Sequence, residues 1–262
     1  LSDAYAVLAR RPAGLRVLAG GTDLMVAINA RVGLDRIGHV LDIWKVPELR
    51  GIATSAGVLS IGALTTYSEL LDSAEIAACF PALAAVSREV GAWGIQNRGT
   101  LGGNVCNASP AGDTLPLLLA AEARFVLGGP RGERTVAADE FFIAYRKTAL
   151  GADELLLRIE VPLVPGVRVA YRKVGTRRAQ SISKTLVAVR AAPGLAQLRI
   201  AAGCVAPIPV RCRHAEQAAA AGGDVRAALG QDIAPIDDVR STAEYRREVS
   251  CNVLERLLRE LA

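Results

Sequence analysis

Two glycine-rich runs hold the residues best suited to chemistry in this 262-residue chain. The first is Ala19-Gly20-Gly21-Thr22-Asp23-Leu24. It stands where an apolar stretch at 15–19 gives way to a helical pattern carrying Leu24, Met25 and Ile28. Glycine lets the main chain pass close to a ligand, and the free N–H groups of a first helical turn attract phosphate. The second run is Gly99-Thr100-Leu101-Gly102-Gly103-Asn104, continuing through Asn107 and Ser109 to Asp113. Main-chain donors and the side chains of Thr100, Asn104 and Asp113 combine there in a loop that can wrap a polar ligand. Neither run fits G-x-x-x-x-G-K-[ST] or the dinucleotide fingerprint G-x-G-x-x-G. A tight turn that binds nothing would account for either one alone. Two such loops, about 80 positions apart, point to a two-phosphate ligand held from both sides.

Other chemistry is poorly represented. His39 and His214 lack partners at metal-ligand spacing, Asp237-Asp238 sits in turn-like sequence, and neither G-x-S-x-G nor H-E-x-x-H occurs. The five cysteines (Cys79, Cys106, Cys204, Cys212, Cys251) are odd in number, widely spaced and free of C-x-x-C. That argues against a disulfide framework, and against a zinc or iron–sulfur site made by this chain alone. It predicts a reduced, cytoplasmic protein. The charge of +5 comes from 31 Lys+Arg against 26 Asp+Glu. The cations are scattered, without the basic stripe and stacking aromatics of a nucleic-acid groove. Their densest group, Arg172-Lys173 with Arg177-Arg178, suits a single anionic ligand. Apolar runs are short and broken, as at Pro116, Pro207 and Pro209, so no membrane span is expected.

The elements that must position these loops follow from periodicity. Helical spacing appears at 2–10, 68–79, 82–89 and 114–122. A buried strand at 15–19 precedes the first loop, Thr22-Asp23 can cap the helix after it, and 39–44 reads as a second strand. Hairpins are predicted at 52–61, around Ser55-Ala56-Gly57, and at 124–136, across Gly128-Gly129-Pro130. The stretch 91–103 has too little periodicity for either element. After a strand at 154–161, two prolines and a glycine at 162–166 mark the best boundary. Beyond it, strands at 167–174, 185–191 and 197–205 come before helices at 211–221, 224–229 and 241–261. Strands first and helices afterwards predict an α+β module. With 51% hydrophobic but only 4% aromatic residues, the core must be aliphatic. The apolar face of the last helix (Val253, Leu254, Leu257, Leu258, Leu261) belongs to it.

The ordered series AGGTDL at 19–24, GTLGGN at 99–104 and ASPAGD at 108–113 resembles the FAD-binding medium subunit of the molybdenum hydroxylases. That group includes the xanthine dehydrogenase, carbon monoxide dehydrogenase and 4-hydroxybenzoyl-CoA reductase types. The resemblance continues through Phe141-Phe142, Thr148-Ala149-Leu150, 156–162, 171–174 and Arg177-Arg178, covering nearly the whole chain. It implies a FAD-binding domain of the vanillyl-alcohol-oxidase type at 1–162, in two α/β subdomains. A small antiparallel sheet with helices at 168–262 would follow. It further implies that Ala19, Gly20, Gly21, Thr22, Asp23 and Leu24 cradle the FAD diphosphate with backbone amides, and that Thr100, Leu101, Gly102, Gly103 and Asn104 do so from the other side. Asp113 would contact FAD, Leu156 would pack near the flavin, and Lys173 would be a cation favouring the anionic reduced flavin. A small subunit with two [2Fe–2S] clusters and a large subunit with the molybdopterin cofactor would supply electrons. FAD would pass them to NAD, quinone, oxygen or another acceptor, in a heterotrimeric unit.

The chain departs from the family pattern in two places. It begins at Leu1, without the short strand-like opening usual before the first helix. It also has Gly94-Ile95-Gln96-Asn97 where relatives often have Q-I-R-N. A self-contained reductase on the same scaffold, resembling the UDP-N-acetylenolpyruvoylglucosamine type, would need its own proton donor, and the sequence offers none. A scaffold that has lost its flavin would have little use for two intact diglycines.

Overall fold

The computed structural model describes residues 1–10 and 12–262. The first helix, Ser2–Arg10, buries Ala4 and Leu8, four positions apart on one face. Strands Leu15–Leu18 and His39–Asp42 pair in parallel, Leu15 against His39 through Leu18 against Asp42. The short helix Leu24–Asn29 lies between them in sequence. The first glycine run therefore sits in a small β-α-β unit, although its glycines are adjacent and not in the dinucleotide spacing. The strand at 15–18 is not buried as its apolar character predicts. Val17 is 42% exposed, because a two-stranded sheet has too few neighbours to cover both faces.

A five-stranded antiparallel sheet forms the centre, in the order Ile52–Ser55, Val58–Gly62, Leu155–Pro162, Arg124–Gly129, Gly132–Ala137. Its inward side chains, among them Leu59, Ile61, Phe125, Leu127 and Ile159, share one apolar cluster with Leu83, Val86, Leu101, Val105 and Leu117. Those last five come from helices Pro81–Glu89, Leu101–Asn107 and Thr114–Ala120. The few aromatics concentrate here, and Phe125, Phe141 and Phe142 meet edge to face with centroids 4.8–6.0 Å apart. The helical stretch predicted at 68–79 is two helices, Tyr67–Asp72 and Ala74–Cys79. Ser73 divides them because its hydroxyl accepts from the Ile76 amide and caps the second.

A four-stranded antiparallel sheet follows: Arg168–Val174, Thr185–Ala192, Ala196–Gly203 and Val210–Arg211. The period of two in Leu186-Val187-Ala188-Val189 sorts its faces. Val187 and Val189 join Leu254 and Leu257 of the last helix, Ala243–Leu261. Ala188 and Ala201 turn to the other core, which includes Leu117 and Leu118 of Thr114–Ala120. Small alanines on that face let the helix approach closely. The contact is clasped by Glu122, whose carboxylate takes Arg190 at 2.6 Å and Arg199 at 2.5 Å. Burial works to raise the Glu122 pKa, but the hydrogen bond and charge of Arg199, with Arg190 and Arg211, hold it below its ordinary value. Among the described residues no helix is long and apolar enough to cross a membrane.

Candidate functional site

The two glycine loops touch. A Cβ built on Gly20 would lie 1.6 Å from the carbonyl oxygen of Arg98, so backbone meets backbone with no room for a side chain. Gly21, at φ +80°, turns the first loop into its helix. Among the described residues, the amides of Gly20, Gly21, Thr22 and Asp23 donate to no protein group, leaving four N–H groups to a ligand. Thr22-Asp23 does not cap the helix as predicted, for no side-chain cap is made. Asp23 Oδ1 instead accepts from Asn107 Nδ2 at 3.0 Å, and Asn107 Oδ1 accepts from Arg146 at 2.9 Å.

The second loop is built differently. The stretch without evident periodicity contains the Trp93–Gln96 turn and the start of helix Leu101–Asn107. Thr100 caps that helix, its hydroxyl accepting from the Gly103 amide at 3.0 Å. Two glycines in one turn carry low helix propensity, which hides the helix from a periodicity reading. The amides of Leu101, Gly102 and Asn104 donate to the carbonyls of Thr65, Ala63 and Thr100. All four amides from Leu101 to Asn104 are thus committed inside the protein. Gly102 is required for packing, since a Cβ there would stand 2.5 Å from the Ala63 oxygen. What this loop presents to the cleft is small surface plus the Asn104 side chain, whose Oδ1 already accepts from Thr114.

Two neighbouring cavities open around these loops, of about 560 and 630 Å³, the scale of a large organic ligand. They share Asp23, Val90, Asn104, Asn107 and Arg146. Ala19, Gly20, Gly21, Thr22, Asp23, Leu24, Thr100, Gly102, Gly103, Asn104 and Leu156 all line the first. Asp113 lines the second, with Ser183, Cys204 and the segment from Ala234 to Arg240. Leu101 and Lys173 line neither: Leu101 is fully buried in the core, and Lys173 stands behind Asp113.

Lys173 Nζ donates to Asp113 Oδ2 at 2.6 Å with its side chain only 2% exposed, and Ser183 donates to Asp113 Oδ1 at 2.6 Å. The lone cation implied by the family pattern is therefore half of a buried ion pair, whose field falls off faster than that of a free charge. Nearby, burial raises the Glu89 carboxyl, and Lys173 and Tyr171 only partly oppose it. Burial also pushes the Cys106 and Cys204 thiols up to about 12, so both stay neutral and poorly nucleophilic. Asp238, on the far wall, is held down at about 2. Burial would raise it, but hydrogen bonds from the Arg240 amide, Arg246 and the Ser241 amide outweigh that. Arg146 escapes a reading by motif because it meets the loops only in three dimensions, through Asn107 of the second run. Among the described residues no three His, Cys, Asp or Glu side chains gather as a metal site.

Residues 1–164 match the model for the FAD binding domain in molybdopterin dehydrogenase, and residues 170–261 that for the carbon monoxide dehydrogenase flavoprotein C-terminal domain. The chain is 32% identical to a xanthine dehydrogenase FAD-binding subunit of Escherichia coli O157:H7, over 99% of this chain and 92% of that one. It is 31% identical to the carbon monoxide dehydrogenase medium chain of Hydrogenophaga pseudoflava, over 98% and 93%. A solved carbon monoxide dehydrogenase from the same organism, lacking the Mo-pyranopterin moiety of its molybdenum cofactor, superposes with a TM-score of 0.91 at 32% identity, covering 97% of this chain and 91% of that one.

Proposed function

Since the chain belongs to the FAD-binding medium subunits of the molybdopterin dehydrogenases, we propose that it is the electron-transfer subunit of a multi-subunit molybdenum hydroxylase. One observation carries this reading. Two loops far apart in sequence meet backbone to backbone, and four amides with no protein partner among the described residues belong to residues that line one cavity. Such a cradle fits a diphosphate, because main-chain N–H dipoles free of protein partners attract phosphate oxygens.

In this reading Gly20, Gly21, Thr22 and Asp23 bind the FAD diphosphate through their amides. Arg146, which lines both cavities, supplies countercharge. Leu156, Leu155 and Ile43 form an apolar wall for one ring system, and Asp113, fixed by Lys173 and Ser183, faces the other. The domains divide as 1–162, of the vanillyl-alcohol-oxidase type, and 168–262. When bound, FAD supplies redox chemistry that no side chain here can, and the chain positions and tunes it. Electrons would come from [2Fe–2S] clusters of a small partner subunit, fed by a large molybdopterin subunit, and leave to NAD, quinone or oxygen. The five free cysteines suit a reduced cytoplasm.

The test is to purify the protein from its native host and record its absorption spectrum, metals and companions. Flavin bands with iron–sulfur absorbance, molybdenum and two further chains are expected. A lone chain that turns over a substrate with NAD(P)H would favour the self-contained reductase. A colourless chain that takes up no added FAD would overturn both.

A further inference from the structure

Resting on the FAD reading, we propose that Arg98 is a positioning residue for the cofactor, setting the separation of the two glycine loops. Arg98 directly precedes the second loop, and its carbonyl is the group packed against Gly20. Its Nε also donates to Gly20 O at 3.4 Å, a contact 78 positions apart in sequence. Its guanidinium lies 3.8 Å from the centre of the Trp44 ring. Trp44 follows the strand His39–Asp42, whose partner strand leads into the first loop.

Trp44 is itself held on several sides. Its amide donates to Asp42 Oδ1 at 2.8 Å, and its carbonyl accepts from Arg50 at 3.0 Å. The Arg50 guanidinium is 4.5 Å from the same ring and also donates to the Leu64 carbonyl. Leu64 lies between Ala63 and Thr65, whose carbonyls take the second loop's amides. The circuit closes: first loop, Arg98, Trp44, Arg50, Leu64, second loop. Arg50 has Glu69 as a counterion at 3.4 Å. Arg98 has no carboxylate partner among the described residues, and it is not among the residues that line either cavity, so it acts on the cofactor through the loops it holds. Its side chain is exposed, and deleting it opens no hole in the core. Its role is separable from folding for that reason. Lysine would keep the charge but lose the planar stack and the directed N–H.

The experiment uses the full chain freed of flavin, with FAD, ADP and riboflavin as probes. Arg98→Ala should weaken FAD and ADP together by about tenfold, the loss of one stacked, hydrogen-bonded guanidinium. Riboflavin affinity and the flavin-free melting temperature should stay at wild-type values. Arg98→Lys should recover part of the loss. The chain has two tryptophans, so Trp93→Phe leaves Trp44 as the only reporter. ADP should change its emission in that background and not when Arg98→Ala is added. Unchanged FAD and ADP affinity in Arg98→Ala would overturn the proposal, as would a loss matched by a fall in flavin-free melting temperature. A wild-type chain that takes no FAD would overturn the reading beneath it, and shows itself before any variant is made.

Discussion

Gly20→Ala is the sharpest perturbation of the site. The new methyl would stand 1.6 Å from the Arg98 carbonyl oxygen and 2.5 Å from its carbon. Both obstacles are main chain, so no rotamer relieves the clash and the loops must part by well over 1 Å, given ordinary contact near ~3.4 Å. At that displacement the Gly20–Asp23 amides no longer bind one anion together. Each charge-assisted hydrogen bond is worth about 1.5–3 kcal/mol. Loss of two would weaken FAD binding by two to four orders of magnitude, roughly 3–6 kcal/mol. Gly94→Ala is the matched control, because its Cβ meets nothing within 4 Å and it sits in the Trp93–Gln96 turn. It should leave FAD affinity unchanged and add up to about 1 kcal/mol of stability through helix propensity. The assay is titration of flavin fluorescence on flavin-free protein, with thermal melts of each variant alongside. A Gly20→Ala protein binding FAD within about threefold of wild type would refute the argument that loop contact makes the site.

Lys173→Met leaves Asp113 buried with only Ser183 and should cost about 3–5 kcal/mol in denaturant unfolding. Adding Asp113→Asn should recover more than half, and no recovery would mean that the ion pair is not the cause. Glu122→Gln leaves Arg190, Arg199 and Arg211 facing one another. It should cost about 2 kcal/mol, discounted for partial exposure, and turn an expected single calorimetric unfolding transition into two. One unshifted transition would show that the clasp is not what couples the two sheets. Asp238 has a folded pKa of about 2 against an ordinary 3.8. Its contribution to stability is complete above the ordinary value and lost as pH falls toward about 2. Melting temperatures of wild type and Asp238→Asn should differ at pH 6 and converge near pH 2. A constant gap would contradict the assignment.

Much was legible in the sequence because it rests on short-range rules. The apolar run at 185–191 gave a strand, the turn at Ser55-Ala56-Gly57 gave a hairpin, and Pro162 with Gly166 marked where one sheet ends before another begins. The two glycine runs stood out by composition alone as candidate ligand loops. Residue type did not reveal which glycine serves which purpose. Gly20 admits the neighbouring loop, Gly102 admits Ala63 beneath a helix, and the two read alike along the chain. Neither could the sequence show that the amides from Leu101 to Asn104 already have partners inside the protein, or that Lys173 carries its counterion with it. The loop contact, the pairing of the Leu101 and Gly102 amides and the local charge at Lys173 are set by groups 36 to 78 positions away. Only the packing of the sheets brings those groups within the few ångströms over which hydrogen bonds and steric exclusion act.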